Sequence, residues 1–566
     1  EIVPNSTDAV ATFGNIPSGP FTVVLNTPIT VDILEFNSSS SYTITGSNLL
    51  QIESRIEIAA NTPSISIEAP ISLVTSGTIL NNSTSTLTVN SIAGTSVSIE
   101  GTGKVSLQGA NSSVDFGLLS GELEITNSNN LAPASLILLG TGVVATPPTL
   151  SVSTTLSIPN SISFGTPSNI FVPNDSSLTL TGEAASTGQF TKIGGGSLIL
   201  AHTINTRTGA TVLQEGILQI TSSNSLGSGD LDLEGGTFAT NFGETSLTIS
   251  NPISITGAGS STISVAANDT LVIDGTISGS ASLVKSGTGI LNLVSTNNTH
   301  TGALTIESGT LKASSADNIS SDRLTIQNGT LLTDVDITYA NPVALANDTS
   351  TIQVDAGTLT ISGRITGTGK LNKLGNGTLV LSNNGNVFNG LNIQQGTVRV
   401  SIPALGGSLM SIFNNAQLAI DSSTNLFLFA PVNFGDGGGT LSNNATLVFS
   451  SQFSGEGLIT KIGTGDLRLP QTSIHTGGIN VLSGRVLMLV SSGATSGDIT
   501  LADQTSYLFL NTNATMSQAI TVTAGSAILG AGTSDNTVTI NGNITGSGAL
   551  ALSAGTTILN GNNSYG

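Results

Sequence analysis

The alternating string "GSGDLDLEGG" spaces Asp230, Asp232 and Glu234 two residues apart, so an extended backbone would set three carboxylates on one side. Clustered carboxylate oxygens are what a Ca²⁺ ion coordinates, and paired carboxyl groups a few ångströms apart serve a glycosidase as acid and base. A third reading needs no chemistry, because an outward strand face in water gives the same spacing. "TDVD" repeats the arrangement on a smaller scale with Asp334 and Asp336. The other groups able to bind metal or move protons are three histidines, His202, His300 and His475, with no cysteine to accompany them. Lys, Arg and aromatic residues that would grip a sugar are scarce around the carboxylates. The expectation is a solvated face without catalytic, cofactor or metal residues, with calcium at Asp230, Asp232 and Glu234 left open.

Other catalytic signatures are missing. No Gly-Asp-Ser-Gly string offers a serine nucleophile on a sharp turn beside oxyanion donors. No Gly-x-x-x-x-Gly-Lys-Ser/Thr loop occurs, and the many Gly-x-Gly pieces precede strands, with no helix to point its N-terminus at phosphate. The calcium-roll nonapeptide does not recur, and "NFGDGGG" at residues 433–439 is a single loose echo of it. Thr-x-Thr steps such as Thr179 and Thr181 would suit ice only if they lined up on successive turns.

These residues sit in an unusual background. Only 8% of the 566 residues are charged and 4% aromatic, while 38% are hydrophobic, so a large core is possible but solubility must come from hydroxyls, amides and sparse acids. The net charge of -20 would repel nucleic acid and anionic lipid, and no Lys/Arg cluster reverses it locally. No apolar run reaches the roughly 18 residues of a spanning helix. A signal peptide, if one preceded Glu1, is expected to have been removed.

A repeat organises the chain. Glycines at the third position of "GTGKVSLQG", "GGGSLILAH", "GTGILNLVS", "GNGTLVLSN", "GTGDLRLPQ" and "SAGTTILNG" are Gly103, Gly196, Gly289, Gly377, Gly465 and Gly555, spaced by 93, 93, 88, 88 and 90 residues. A second landmark, "SGELEI", "EGILQI", "SGTLKA", "QGTVRV" and "SGRVLM", places Gly121, Gly216, Gly309, Gly396 and Gly484 at spacings of 95, 93, 87 and 88. Two landmarks that drift together mark true repeating units. The last unit breaks off at Gly566, so more chain is expected to follow it.

Within each unit short runs alternate apolar and polar residues, as at Leu379 and Leu381, and Gly- and Asn-rich turns separate them. Helical stripes are absent. Roughly 22 residues per coil, with two or three strands each, cannot bury an inward face alone, so the coils must stack. The predicted fold is all-β, a right-handed parallel β-helix of about 25 coils, on the order of 120 Å long at the strand spacing. An array of β-sandwiches would need clear linkers and larger aromatic cores. Residues 1–95 lack both landmarks and read as an N-terminal cap with divergent coils, residues 96–552 as repeats of about 90, and residues 553–566 as the start of a further unit.

"KLGNGTLVLSNNGNVFNGLNIQQGTVRV", "VKSGTGILNLVSTNNTHTGALTIESGTLKA" and "KIGTGDLRLPQTSIHTGGINVLSGRVLM" resemble the passenger-associated transport repeat of bacterial autotransporters. That pattern is a Lys-x-Gly-x-Gly-x-Leu strand, an Asn-rich turn, an aromatic-Thr-Gly-Gly step and a Gly-Thr-Leu strand. The resemblance implies a passenger displayed on the bacterial outer-membrane surface or released, with an outer-membrane β-barrel translocator in the precursor. It also assigns His300 and His475 to the pattern's aromatic position, held elsewhere by Arg207, Phe388 and Tyr565. Histidines two units apart on a rod cannot converge on one ion, and His202 stands alone.

The function expected is that of a non-enzymatic adhesin or surface coat. Its long polar surface, without an aromatic hot spot, would add weak contacts to a host or neighbouring cell surface, or between rods. A subunit of an extracellular filament and a polysaccharide-processing β-helix are the alternatives.

Overall fold

The computed structural model describes the chain except residues 1–4, 17–18, 75, 112–113, 133–134, 141–145, 186, 244, 401–404, 406–408, 470–472, 489–495, 511–512 and 524. Pro470 and Gln471, which end one of the repeat segments, lie outside the described residues. The chain is an all-β, parallel β-solenoid of about 25 turns. Two single 3₁₀ turns, Ser128–Asn130 and Ala316–Asn318, are the helical segments among the described residues. The chain divides into two compact units, Glu1–Leu291 with Asn297–Thr301, and Asn292–Thr296 with Gly302–Gly566.

Alternation decides which side chains enter the core. Leu379 and Leu381 are fully buried, and each stacks on an inward partner 19 or 20 residues away, Leu359 and Val398 for the first, Ile361 and Val400 for the second. Each such leucine contributes about 1.5–3 kcal/mol by leaving water. In the first unit a ladder built this way runs from Leu156–Ile158 through Ser177–Leu180, Ser197–Leu200, Ile217–Ile220 and Thr237–Thr240 to Ser260–Val265 and Ser282–Ser286. In the second unit another runs from Leu426–Leu428 through Leu447–Phe449, Asp466–Leu469, Gly484–Met488 and Ser506–Leu510 to Ser526–Ala531 and Ala549–Leu552.

The period of about 90 residues has a structural cause. New ladders begin at Leu156–Ile158, Ser246–Ile249, Ile337–Tyr339, Leu426–Leu428 and Ala514–Met516, at intervals of 90, 91, 89 and 88 residues. One turn earlier the chain makes a tight turn in place of a strand. Its backbone is satisfied locally, because Asn130 Oδ1 accepts from the amides of Thr126 and Asn127, Ser225 Oγ from those of Thr221 and Ser222, and Asn318 Oδ1 from those of Ser314 and Ser315. The stretches in the corresponding places of the next two units fall among residues 401–408 and 489–495.

Old ladders end at similar intervals, and asparagine ends four of them. The first amide of four closing strands, at Ile92, Ala184, Ile277 and Ile365, donates to the side-chain oxygen of Asn111, Asn205, Asn298 and Asn386 where a further strand would have supplied a carbonyl, while Ser473 stands beside the fifth, Phe453–Gly455. An amide side chain thus satisfies a donor that the end of a ladder would otherwise leave buried and unpaired.

Candidate binding faces

The carboxylate stripe faces outward, as the alternation predicts. Leu231 and Leu233 are buried between exposed Asp230, half-buried Asp232 and exposed Glu234. Partial burial raises the Asp232 carboxyl above its ordinary range, and the charges of Asp230 and Glu234 add to the shift. Glu234 accepts from Gln214 Nε2 at 2.9 Å. Among the described residues no three side chains of metal-binding type come together. Asp334 pairs with Lys312 at 2.7 Å, and Asp336 accepts from the Thr358 amide.

The histidines do not converge either. His202 Nδ1 lies 2.6 Å from the Ile204 carbonyl oxygen. His300 is buried with Nε2 2.7 Å from the Ala281 oxygen, and His475 is buried against the edges of Phe434 and Phe453. The equivalent corner of another repeat holds Arg207, fully buried, whose guanidinium lies 4.5 Å from the centre of the Phe190 ring and donates to Thr211, Leu226 and Ala210. Phe388 fills the same corner once more. Arginine there supplies a flat, apolar-faced group that an aromatic ring can replace.

Four lysines carry a role that sequence reading passed over. Lys192, Lys285, Lys373 and Lys461, in "KIGGG", "KSGTG", "KLGNG" and "KIGTG", are fully buried. Lys461 Nζ donates to the carbonyls of Ile462, Gly463 and Ser483 at 2.8, 2.7 and 3.2 Å, and Lys192 and Lys373 repeat the triple contact. Lys285 Nζ donates to the carbonyls of Ser286 and Gly287. Burial lowers each amine to about 8. Each therefore remains charged at neutral pH, a state the carbonyl acceptors favour. The second repeat landmark follows from this site: a Cβ on Gly484, at φ 78°, would lie 2.4 Å from the Gly463 oxygen and 2.9 Å from Lys461 Nζ.

The outward face of the ladder that begins at Leu426–Leu428 departs from the expected polar surface without an aromatic hot spot. Two columns of side chains run side by side there. Asp466, Arg485, Tyr507 and Ile528 stack in one, and Phe427, Val448, Arg468, Leu487 and Phe509 in the other. The Tyr507 and Phe509 rings lie 6.1 Å apart and within 18° of parallel. Arg485 makes a two-pronged bond to Asp466, Nε to Oδ1 at 2.5 Å and Nη2 to Oδ2 at 2.9 Å, and Arg468 lies 3.7 Å from the same carboxylate. Asp466 is 6% exposed while the Arg485 side chain is half exposed, so solvent meets guanidinium over a covered carboxylate. Thr464, Gly484, Arg485, Thr505, Tyr507 and Phe509 line a cleft of about 480 Å³. The sequence signal was "SYLFL", but apolar residues at both parities conceal which side faces out.

A family model described as the passenger-associated-transport-repeat matches residues 190–220, 283–313, 371–400 and 459–488, and each match contains one of the buried lysines. The segments beginning at Gly101 and Ser553 lie outside those matches. The chain is also similar to a protein named adhesin BmaC autotransporter, from Brucella suis biovar 1 (strain 1330), with 28% identity over 374 residues. That alignment covers 55% of this chain and 10% of the relative, so the chain spans about a tenth of the length of the curated relative it matches. No solved structure matches the chain.

Proposed function

We propose that this chain, a repeat-bearing stretch of an autotransporter passenger, is a non-enzymatic adhesin segment at the outer-membrane surface of a bacterium. The similarity to an autotransporter adhesin over 374 residues carries this reading. Removal of a signal peptide and export through an outer-membrane β-barrel in the precursor belong to the same proposal. The scattered histidines and the like-charged carboxylate stripe suit presentation better than turnover. A stacked core holds outward residues in fixed columns, and repeated weak contacts along them gain strength when many copies act together.

The test displays the chain on an otherwise non-adherent bacterium and measures attachment to host cells, and clumping of the bacteria, across salt concentrations. Attachment or clumping that grows more steeply than copy number is expected. Neither rising above the empty strain would overturn the reading.

A further inference from the structure

Resting on that adhesin reading, we infer that the outward face at Arg485, Tyr507 and Phe509 is a binding site for a glycan whose pyranose rings carry carboxylates. The two rings stand on one strand with their planes nearly aligned. Both rings are half-buried and leave part of their apolar surface open on this outward face, which suits the C–H face of a pyranose. Neither ring helps to fill the core, since Ser506, Leu508 and Leu510 of the same strand do that.

One turn away in register lies Arg485, and Arg468 lies one turn further in the neighbouring column. The spacing of turns, about 4.8 Å, is close to the length of one pyranose along an extended chain, so successive sugars meet rings and then guanidinium. The Asp466 carboxylate fixes the Arg485 fork from beneath through both Nε and Nη2, leaving Nη1 for an incoming carboxylate. Thr464 and Thr505 border the cleft with hydroxyls able to meet those of a sugar. Asp503 is the nearby acid; it accepts from the Thr505 hydroxyl at 3.4 Å and from the Gln504 amide. An exposed cation on a chain of net charge -20 favours anionic over neutral glycans at this one face.

Tyr507→Thr and Phe509→Thr restore the residue type common at outward positions and leave the core untouched. Arg485→Lys keeps a positive charge over Asp466 while removing the planar fork. Binding of hyaluronate and oligogalacturonate hexamers to the purified chain would be measured by calorimetry, with cellohexaose as the neutral control and thermal melts as the check on folding. The expected result is uronate binding that falls at least tenfold in Tyr507→Thr and severalfold in Arg485→Lys, with unchanged melting. Equal binding of cellohexaose, absence of uronate binding, or binding indifferent to Tyr507→Thr would each overturn the inference. On displaying cells, attachment by the parent that Tyr507→Thr leaves intact defeats the glycan site and spares the adhesin reading. Uronate binding by a chain that attaches to no cell does the reverse.

Discussion

Three consecutive ladder strands can be compared between two repeats, Ser197–Leu200, Ile217–Ile220 and Thr237–Thr240 in the first unit and Asp466–Leu469, Gly484–Met488 and Ser506–Leu510 in the second. They occupy the same places in the repeat and pair in the same register. Inward, the two match closely: Leu198, Leu218 and Phe238 correspond to Leu467, Val486 and Leu508, all fully buried. Outward, Ser197, Ile217 and Thr237 stand where the second set has Asp466, Arg485 and Tyr507, and Ile199, Gln219 and Ala239 stand where it has Arg468, Leu487 and Phe509. The repeat holds its inward residues to one type and leaves the outward ones free to become a charged and aromatic face.

The largest test of this division is a carboxylate placed inward. Leu198→Asp and Leu467→Asp are each expected to cost at least about 3–5 kcal/mol and to expose adjacent turns to protease, equally in both regions, because a buried unpaired acid interrupts the stack. Equal protease resistance of parent and variant would contradict the assigned facing. Next in size is Lys192→Met or Lys461→Met, which leaves three carbonyls without their donor and should lower stability by about 2–4 kcal/mol in chemical denaturation. A loss below about 0.5 kcal/mol would show that the ammonium is no staple.

A smaller effect should separate the corners. Burial lowers the His300 and His475 imidazoles below 6.5, with backbone hydrogen bonding opposing the shift. Below pH 6.5 the unfolded chain takes up protons that the folded histidines resist, so stability falls as the solution is acidified through that range. His475→Phe, copying Phe388, should flatten that part of the profile in pH-dependent melts. Smallest of all is Asp230→Asn with Asp232→Asn, which relieves like-charge repulsion on a solvated strand and should raise stability by well under about 1 kcal/mol. A calcium-dependent melting shift in the parent that the double variant loses would instead make the stripe a site.

The parts legible from sequence are those that alternation and period encode. Leu379 and Leu381 point inward as alternation predicts, and the glycine landmarks mark units whose length the ladder starts explain. The starts themselves were hidden, because Asn130, Ser225 and Asn318 do one job with two residue types, and the strand that follows alternates like any other. The lysine of the repeat pattern gave no sign of its burial, since a lone Lys before Gly-x-Gly says nothing of the carbonyls that converge on it. The aromatic face was obscured for the opposite reason. In "SYLFL" the period of two is filled at both phases, and only burial tells Leu508 from Phe509.

The asparagine that closes an old ladder, as at Ile277 and Ile365, also bears on how such a gene can change length. Unequal recombination between equivalent points such as Gly287 and Gly375 removes 88 residues and brings Asn386 to the Ile277 amide that Asn298 had satisfied. Loss of a single turn of about 20 residues keeps the inward and outward phases but carries the Asn386 oxygen away from the Ile365 amide it satisfies. The buried donor then penalises every increment except the whole unit. Variation among descendants of such a gene should therefore come in whole repeats, each of which adds another set of outward positions on which a face like that at Tyr507 can arise.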